Sequence, residues 1–257
     1  MFQSPEYCKI LSLKLSEVLE DVGVNEEMVM KRRRIFMLRE SFRTISCRST
    51  GENKTDYYLG SQSEGTTTIG LDSDIDMVMV DYDYNVIQDW AEWKHNKTKL
   101  IMIQDGNVTP GYCFLQRLRS DEPLFETNIP DENYIRDSIG RILLRNTLVT
   151  PLIEENVERH GPSNAFSGDY GYSDNDIVIA FPCDSKLQSV SLFPERPGVM
   201  RWLSSECVRY AASCVCFVVG TSSKIATYPE LEWRISTSLP QRCLMFNLNI
   251  TQLKCYV

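Results

Sequence analysis

Asp74-Ile75-Asp76 is the triplet in this chain best suited to do chemistry. Side chains alternate along a strand, so Asp74 and Asp76 project together while Ile75 and Met77 face the other way. Two carboxylates held that close repel unless a cation lies between them. Mg2+ (or Mn2+) is the expected ion, because it takes hard oxygen ligands and keeps waters and phosphate oxygens in its shell. An isolated D-x-D, by contrast, more often marks an edge strand whose acids discourage aggregation. Gly60-Ser61, with Ser61 placed 13 residues before Asp74, shifts that balance. The run Gly60-Ser61-Gln62-Ser63-Glu64-Gly65-Thr66-Thr67-Thr68 is rich in small and hydroxyl residues. A glycine there lets backbone N–H groups approach a phosphate, and the Ser61 hydroxyl can donate to it. Alone the run reads as a solvated turn; beside D-x-D it reads as a phosphate grip.

The elements that would hold these residues follow from periodicity. Tyr7, Ile10, Leu11, Leu15, Val18, Leu19 and Val22 recur at helical spacing up to Gly23. A second helix starts at Asn25 as N-cap, with Glu26 and Glu27 in its first turn, and runs through Ile35, Leu38, Phe42 and Ile45. Strands are expected over 55–59, 74–80, 177–181, 214–219 and 231–238, and a hairpin joins 100–104 to 112–118 around Asp105-Gly106 and Pro110-Gly111. Short helices are expected over 86–93, 148–159 and 199–212, with a polar loop over 161–173 and a helical tail after Pro240.

Composition narrows the function classes. At 257 residues the chain is one to two domains, long enough for a core without disulfide or metal staples. No apolar run approaches the ~18 residues of a membrane span, and no secretory signal opens the chain, so a cytoplasmic or nuclear protein with no membrane partner is expected. Lys+Arg 27 against Asp+Glu 35 gives −8, which argues against a surface built throughout for nucleic acid. The one basic run is Lys31-Arg32-Arg33-Arg34, a candidate nucleic-acid contact that reads equally as a helical face pairing with Glu26 and Glu27. Nine cysteines without C-x-x-C, and only two histidines, make a Cys/His zinc site an unsuitable reading and buried reduced thiols the natural one. Neither His95 nor His160 lies near a Ser or Cys nucleophile motif.

G-S followed by D-h-D on the next strand resembles the DNA polymerase beta-like nucleotidyltransferase superfamily. That fold carries a third carboxylate on a neighbouring strand. Asp176, immediately before the apolar run Ile177-Val178-Ile179-Ala180, matches it, with Asp174 as the rival assignment. More specifically the chain resembles the branch of male-abnormal (Mab) proteins and cyclic GMP-AMP synthase-like receptors. The residues that carry this likeness are those from Gly60 to Gly65, Asp74-Ile75-Asp76, Asp176 with the strand after it, and Leu231-Glu232-Trp233-Arg234-Ile235-Ser236-Thr237-Ser238. In cyclic GMP-AMP synthases the residues matching Arg234, Ser236 and Ser238 contact the nucleotide. Gln241 stands where the synthase carries a Glu. Lys254 is the phosphate contact left from the family's C-terminal side, though a solvated lysine is its plainer reading. The synthase's zinc insertion has no counterpart.

The resemblance implies an α+β fold: a nucleotidyltransferase core with a mixed, twisted β-sheet flanked by helices. An N-terminal helical spine would occupy 1–48, the core 49–238, and 239–257 the start of a C-terminal helical lobe that is otherwise missing. It implies a Mg-dependent nucleotidyltransferase in which Asp74, Asp76 and Asp176 hold the metal, and Gly60, Ser61, Arg234, Ser236, Ser238, Gln241 and Lys254 bind ATP or GTP. A cyclic dinucleotide would be the product, with double-stranded RNA or DNA as activator. The alternative is a catalytically inactive scaffold or binding protein of the same family; the third carboxylate and Gly60-Ser61 favour the enzyme, the missing lobe and Gln241 the scaffold.

Overall fold

The computed structural model describes residues 5–67, 73–95, 98–149, 158–166, 174–183 and 204–256. Helix α1 (Pro5–Asp21) begins with a proline in its first turn and buries none of its side chains. Helix α2 (Glu26–Ser49) is capped by Asn25, whose Oδ1 accepts from the Met28 N–H at 3.0 Å, while Glu26 and Glu27 complement the dipole. Val29, Arg33, Phe36, Glu40 and Cys47 recur on its buried face, which packs on β1 (Lys54–Leu59). Ile35, Leu38, Phe42 and Ile45 recur on the opposite face and are exposed.

A five-residue turn of helix, α3 (Gly60–Glu64), follows β1 and leads toward β2 (Ile75–Asp81), which runs antiparallel to β1 with Leu59 opposite Asp76. Next come β3 (Tyr84–Ile87), β4 (Thr98–Ile103), β5 (Tyr112–Arg117), β6 (Tyr134–Arg136), β7 (Ile142–Leu144), β8 (Glu158–His160), β9 (Ser163–Phe166) and β10 (Asn175–Cys183). Helix α4 (Ser205–Ser213), β11 (Cys216–Val219), β12 (Trp233–Ser236), α5 (Ser238–Phe246) and α6 (Ile250–Tyr256) complete the described chain.

The strands run in the order β1-β2-β10-β11-β12-β5-β4-β3, and β3 returns to pair with β10 through Cys183 and Val86. Six strands therefore close into a barrel, with β1–β2 and β8–β9 continuing from the N-terminal half of β10 and β6–β7 attached at β5. In register, Val86, Met102, Leu115, Cys113, Trp233, Val218, Phe181 and Cys183 share one face of this ring and form the main core. Trp233 is fully buried, its Nε1 donating to the Leu144 carbonyl at 3.1 Å. The other face carries Val80, Ala180, Phe217 and Val219, with Leu239 of α5 packed against them.

This closure overturns the expected open, twisted mixed sheet flanked by helices, the nucleotidyltransferase core of the family resembled. The physical cause is local. Residues 86–93 read as a short helix, but Tyr84–Ile87 is a strand and only Trp90–Glu92 makes a 3-10 turn, capped by Asp89. Val86 and Ile87 are β-branched and wholly buried, which suits a pleated wall between two neighbours. That strand is the stave that closes the ring. Elsewhere, the hairpin forms as β4–β5. Of the expected helix at 148–159, Asn146–Val149 is a 3-10 turn, Glu158–His160 is a strand, and 150–157 lie outside the described residues. Ser163–Phe166 is a strand within the expected polar loop, whose residues 167–173 also lie outside, as do 199–203 of the helix that forms as α4. The strand expected to reach Ser238 ends at Ser236, and Ser238 opens α5. Among the described residues no helix is long and apolar enough to cross a membrane.

Candidate functional site

The outer face of the sheet, at the N-terminal ends of β2 and β10, gathers the carboxylates. The two strands are parallel neighbours, and Asp176 is the register partner of Asp76. Alternation along both strands puts Asp76 and Asp176 on the face that carries Val78, Val178 and Ala180. Asp74 stands just before β2 and is exposed. Asp174 is exposed as well; its carbonyl accepts the Ile75 N–H at 2.8 Å, so it anchors the start of β2 while Asp176 faces Asp76.

Gly60 fits this carboxylate pair for a specific reason. Its φ is +71°, and a Cβ built on it would lie 1.9 Å from Asp76 Oδ2 and 2.8 Å from Asp76 Cγ. Only glycine lets the β1–α3 turn and the Asp76 carboxylate occupy the same corner. Ser61 and Gln62 hold the segment in front of β2: the Ser61 and Ser73 hydroxyls are 2.9 Å apart, and Gln62 Nε2 donates to the Ser73 carbonyl at 3.0 Å.

A cleft of about 360 Å³ opens over this corner. Its polar lining comes from Gly60, Glu64, Asp76, Asp176, Arg234, Ser238 and Gln241, and its apolar lining from Leu59, Met77, Val78 and Val178, with Pro162 and Ser163 also lining it. Arg234 is exposed on β12, and Gln241 is exposed on α5. Ser236 is buried and shares a 2.7 Å hydroxyl contact with Ser238, so it supports the cleft from behind. Burial, reinforced by the charges of Asp176 and then Asp74, pushes the Asp76 carboxyl up to about 6. Burial also raises Glu64, which feels the Asp76 charge, while Arg242 and Arg33 pull it back down.

The charged donors offered here are carboxylate oxygens, the chemistry Mg2+ prefers, and the missing Gly60 side chain gives the Asp76 carboxylate its place. Among the described residues, no three His, Cys, Asp or Glu side chains already stand close enough together to hold a metal ion. The donor set suits Mg2+.

Lys254 lies elsewhere: its ammonium donates to the Ser16 carbonyl at 2.9 Å, to Ser16 Oγ at 3.0 Å and to Glu20 at 3.0 Å, joining α6 to α1. The basic run divides likewise. Arg33 is buried and donates to the carbonyls of Glu64, Phe246 and Met245 at 3.0, 2.9 and 3.0 Å. Arg32 donates to the Thr67 carbonyl, and Lys31 and Arg34 are left exposed.

Three site residues escape a reading of sequence spacing alone: Glu64, and the buried pair Glu40–Arg242. Arg242 bonds the Glu40 carboxylate and donates to the Tyr58 carbonyl at 2.7 Å, while Glu40 accepts the Tyr58 N–H at 2.7 Å. The available signal was a pair of charges, Arg33 and Glu40, seven residues apart on the otherwise apolar stripe of α2. A charge on a buried stripe announces a partner.

No protein-family model matches the chain, and no curated protein resembles it closely enough to register as a match.

Proposed function

We propose that this cleft binds a nucleoside triphosphate, ATP or GTP, together with Mg2+ (or Mn2+), and transfers its nucleotidyl group to a hydroxyl acceptor. One observation carries the reading: Asp76 and Asp176 are register partners on adjacent parallel strands, flanked by Asp74, and line one cleft with Arg234. Burial, and then their mutual repulsion, raises the Asp76 carboxyl, and a divalent cation relieves both. The resemblance of these motifs to cyclic GMP-AMP synthase-like receptors supports nucleotidyl transfer as the reaction.

Asp74, Asp76 and Asp176 would hold the metal, which when bound neutralises phosphate charge and acidifies an attacking hydroxyl. The remaining roles belong to the chain itself. Gly60 lets the Asp76 carboxylate sit against the β1–α3 turn, whose backbone N–H groups face a phosphate held there. Arg234, planar and permanently charged, pairs with phosphate or stacks on a base. Ser238 donates a hydroxyl from the start of α5, and Gln241 offers both a donor and an acceptor to a base edge. Val78 and Val178 keep that side of the cleft dry. The product is a phosphodiester, with a cyclic dinucleotide resulting if a second transfer closes the ring. Activation by duplex RNA or DNA belongs to the same reading, with the exposed Lys31 and Arg34 as its contacts. A second reading, nucleotide binding without turnover, draws support from Gln241, which lines the cleft where the family resembled carries a Glu.

Calorimetric titration of ATP and GTP into the wild type and into Asp74→Ala/Asp76→Ala, with and without Mg2+, tests the proposal. Metal-dependent binding that disappears in the variant is expected; absence of binding to the wild type would sink it. Turnover to a phosphodiester then separates the enzyme from the binder. A sharper probe is Gly60→Ala, whose Cβ must displace the Asp76 carboxylate. Its expected result is a loss of Mg-dependent affinity of at least about tenfold, on top of ~1–2 kcal/mol of backbone strain. Gly51→Ala is the control, because its φ of +78° brings similar strain but its Cβ meets nothing within 4 Å. Equal affinity loss in both variants would show that strain, not the carboxylate, is responsible.

A further inference from the structure

Cys214, the C-cap of α4, and Cys243, on α5, place their sulfurs 3.1 Å apart. The Cys214 thiol also donates to the Tyr210 carbonyl at 3.4 Å, which leaves the Cys243 proton to bridge the two sulfurs. Both side chains are partly exposed, so a small disulfide can reach them. Moving from contact to a bond of ~2.05 Å requires about 1 Å of approach, within the reach of a side-chain rotation at a helix end. Cys207, buried and seven residues before Cys214 on α4, adds a third sulfur, its thiol raised by burial and then by the charge of Cys243. No three such side chains among the described residues are arranged to hold a metal, so thiol chemistry rather than soft-metal binding suits the cluster.

We propose that Cys214 and Cys243 are a modification site: a dithiol that closes to an intramolecular disulfide by exchange with a small disulfide of the glutathione type. The step balances in two exchanges. One thiolate attacks a sulfur of the oxidised small disulfide, forming a mixed disulfide and expelling one small thiolate. The second protein thiolate attacks the protein-bound sulfur, forming Cys214–Cys243 and expelling the other. Two protein thiols are oxidised, one small disulfide is reduced to two thiols, and both protons end on those products. Burial and the neighbouring sulfur raise the Cys243 thiol, and the exchange reaches the same bond whichever of the two thiolates attacks first. The bond spans 29 positions and encloses β11 and β12, two staves of the ring. It also fixes α5, which carries Ser238 and Gln241, against α4.

The whole chain, treated with oxidised glutathione, alkylated and digested for mass spectrometry, tests this independently of any nucleotide. The expected result is a Cys214–Cys243 crosslinked peptide in a monomer, two fewer alkylated thiols than the nine of the reduced protein, and reversal by dithiothreitol. Oxidation should raise the Tm by roughly 5–10 °C through loop closure. Cys207→Ser should keep the bond, and Cys214→Ser should lose it. Nine alkylated thiols after oxidation, or a bond made by Cys207 instead, would overturn the assignment.

Discussion

Arg242→Ala destabilises the protein by about 3–5 kcal/mol, the penalty of leaving one member of a buried ion pair alone. Arg242 is 6% and Glu40 8% exposed, so removing the guanidinium strands a carboxylate in a dry joint between α2, β1 and α5. The backbone partner at Tyr58 loses its donor at the same time. At the entropy of unfolding typical of this size, thermal melting should fall by roughly 6–20 °C. Glu40→Met/Arg242→Met should recover much of the loss, because two apolar side chains of similar reach desolvate no charge. Urea melts of both proteins decide the matter, and a loss below ~1 kcal/mol in the single variant would show the joint to be wet.

Asp76→Asn works in opposite directions on activity and stability. If Asp76 is a metal ligand, kcat/KM falls by about 10³-fold or more, the several kcal/mol that metal-assisted charge stabilisation contributes. Stability at pH 7.5 rises instead. The folded-state pKa is raised from 3.8 to about 6, so the carboxyl favours folding most below pH ~4, and that contribution is lost as pH rises through 6. At pH 7.5 the wild type bears the whole cost of an ionised, crowded Asp76, and asparagine removes it. Partial exposure halves the simple conversion, leaving a gain of about 1–2 kcal/mol at pH 7.5 that shrinks toward zero at pH 4. Thermal melts of both proteins across pH 4–8 measure it. A gain that does not vary with pH, or a loss at pH 7.5, would contradict burial and repulsion as the cause. Mg2+ should narrow the gap by stabilising only the wild type.

Much of the site could be read from the sequence because its geometry is local to single strands. Alternation alone places Asp74 with Asp76 and Arg234 with Ser236, and the Gly60 corner follows from one short turn. The register that brings Asp176 beside Asp76 is non-local, spanning some hundred residues, and only the family likeness suggested it. Glu64, Glu40 and Arg242 escaped because their roles depend on how α2, α3 and α5 meet, and no spacing within one element encodes that meeting. Helices α1 and α2 and strands β1, β2 and β10 were legible from period and capping. The closed ring was not, for Tyr84-Asn85-Val86-Ile87 is four residues long and runs straight into the Asp89 cap, so strand and helix start competed within one short window.

Among the described residues, the joint between β10 and β3 shows one register pair, Cys183 with Val86, at the last described position of β10, while the other five seams of the ring show two to four. Separating β3 from β10 at this described pair leaves the four rungs between β3 and β4 in place, so an opening here would cost the ring little of its described ladder. Tyr84 stacked on Phe181 at 4.4 Å acts as the latch. Such an opening would uncover Cys183, a sulfur that the closed ring keeps 2% exposed.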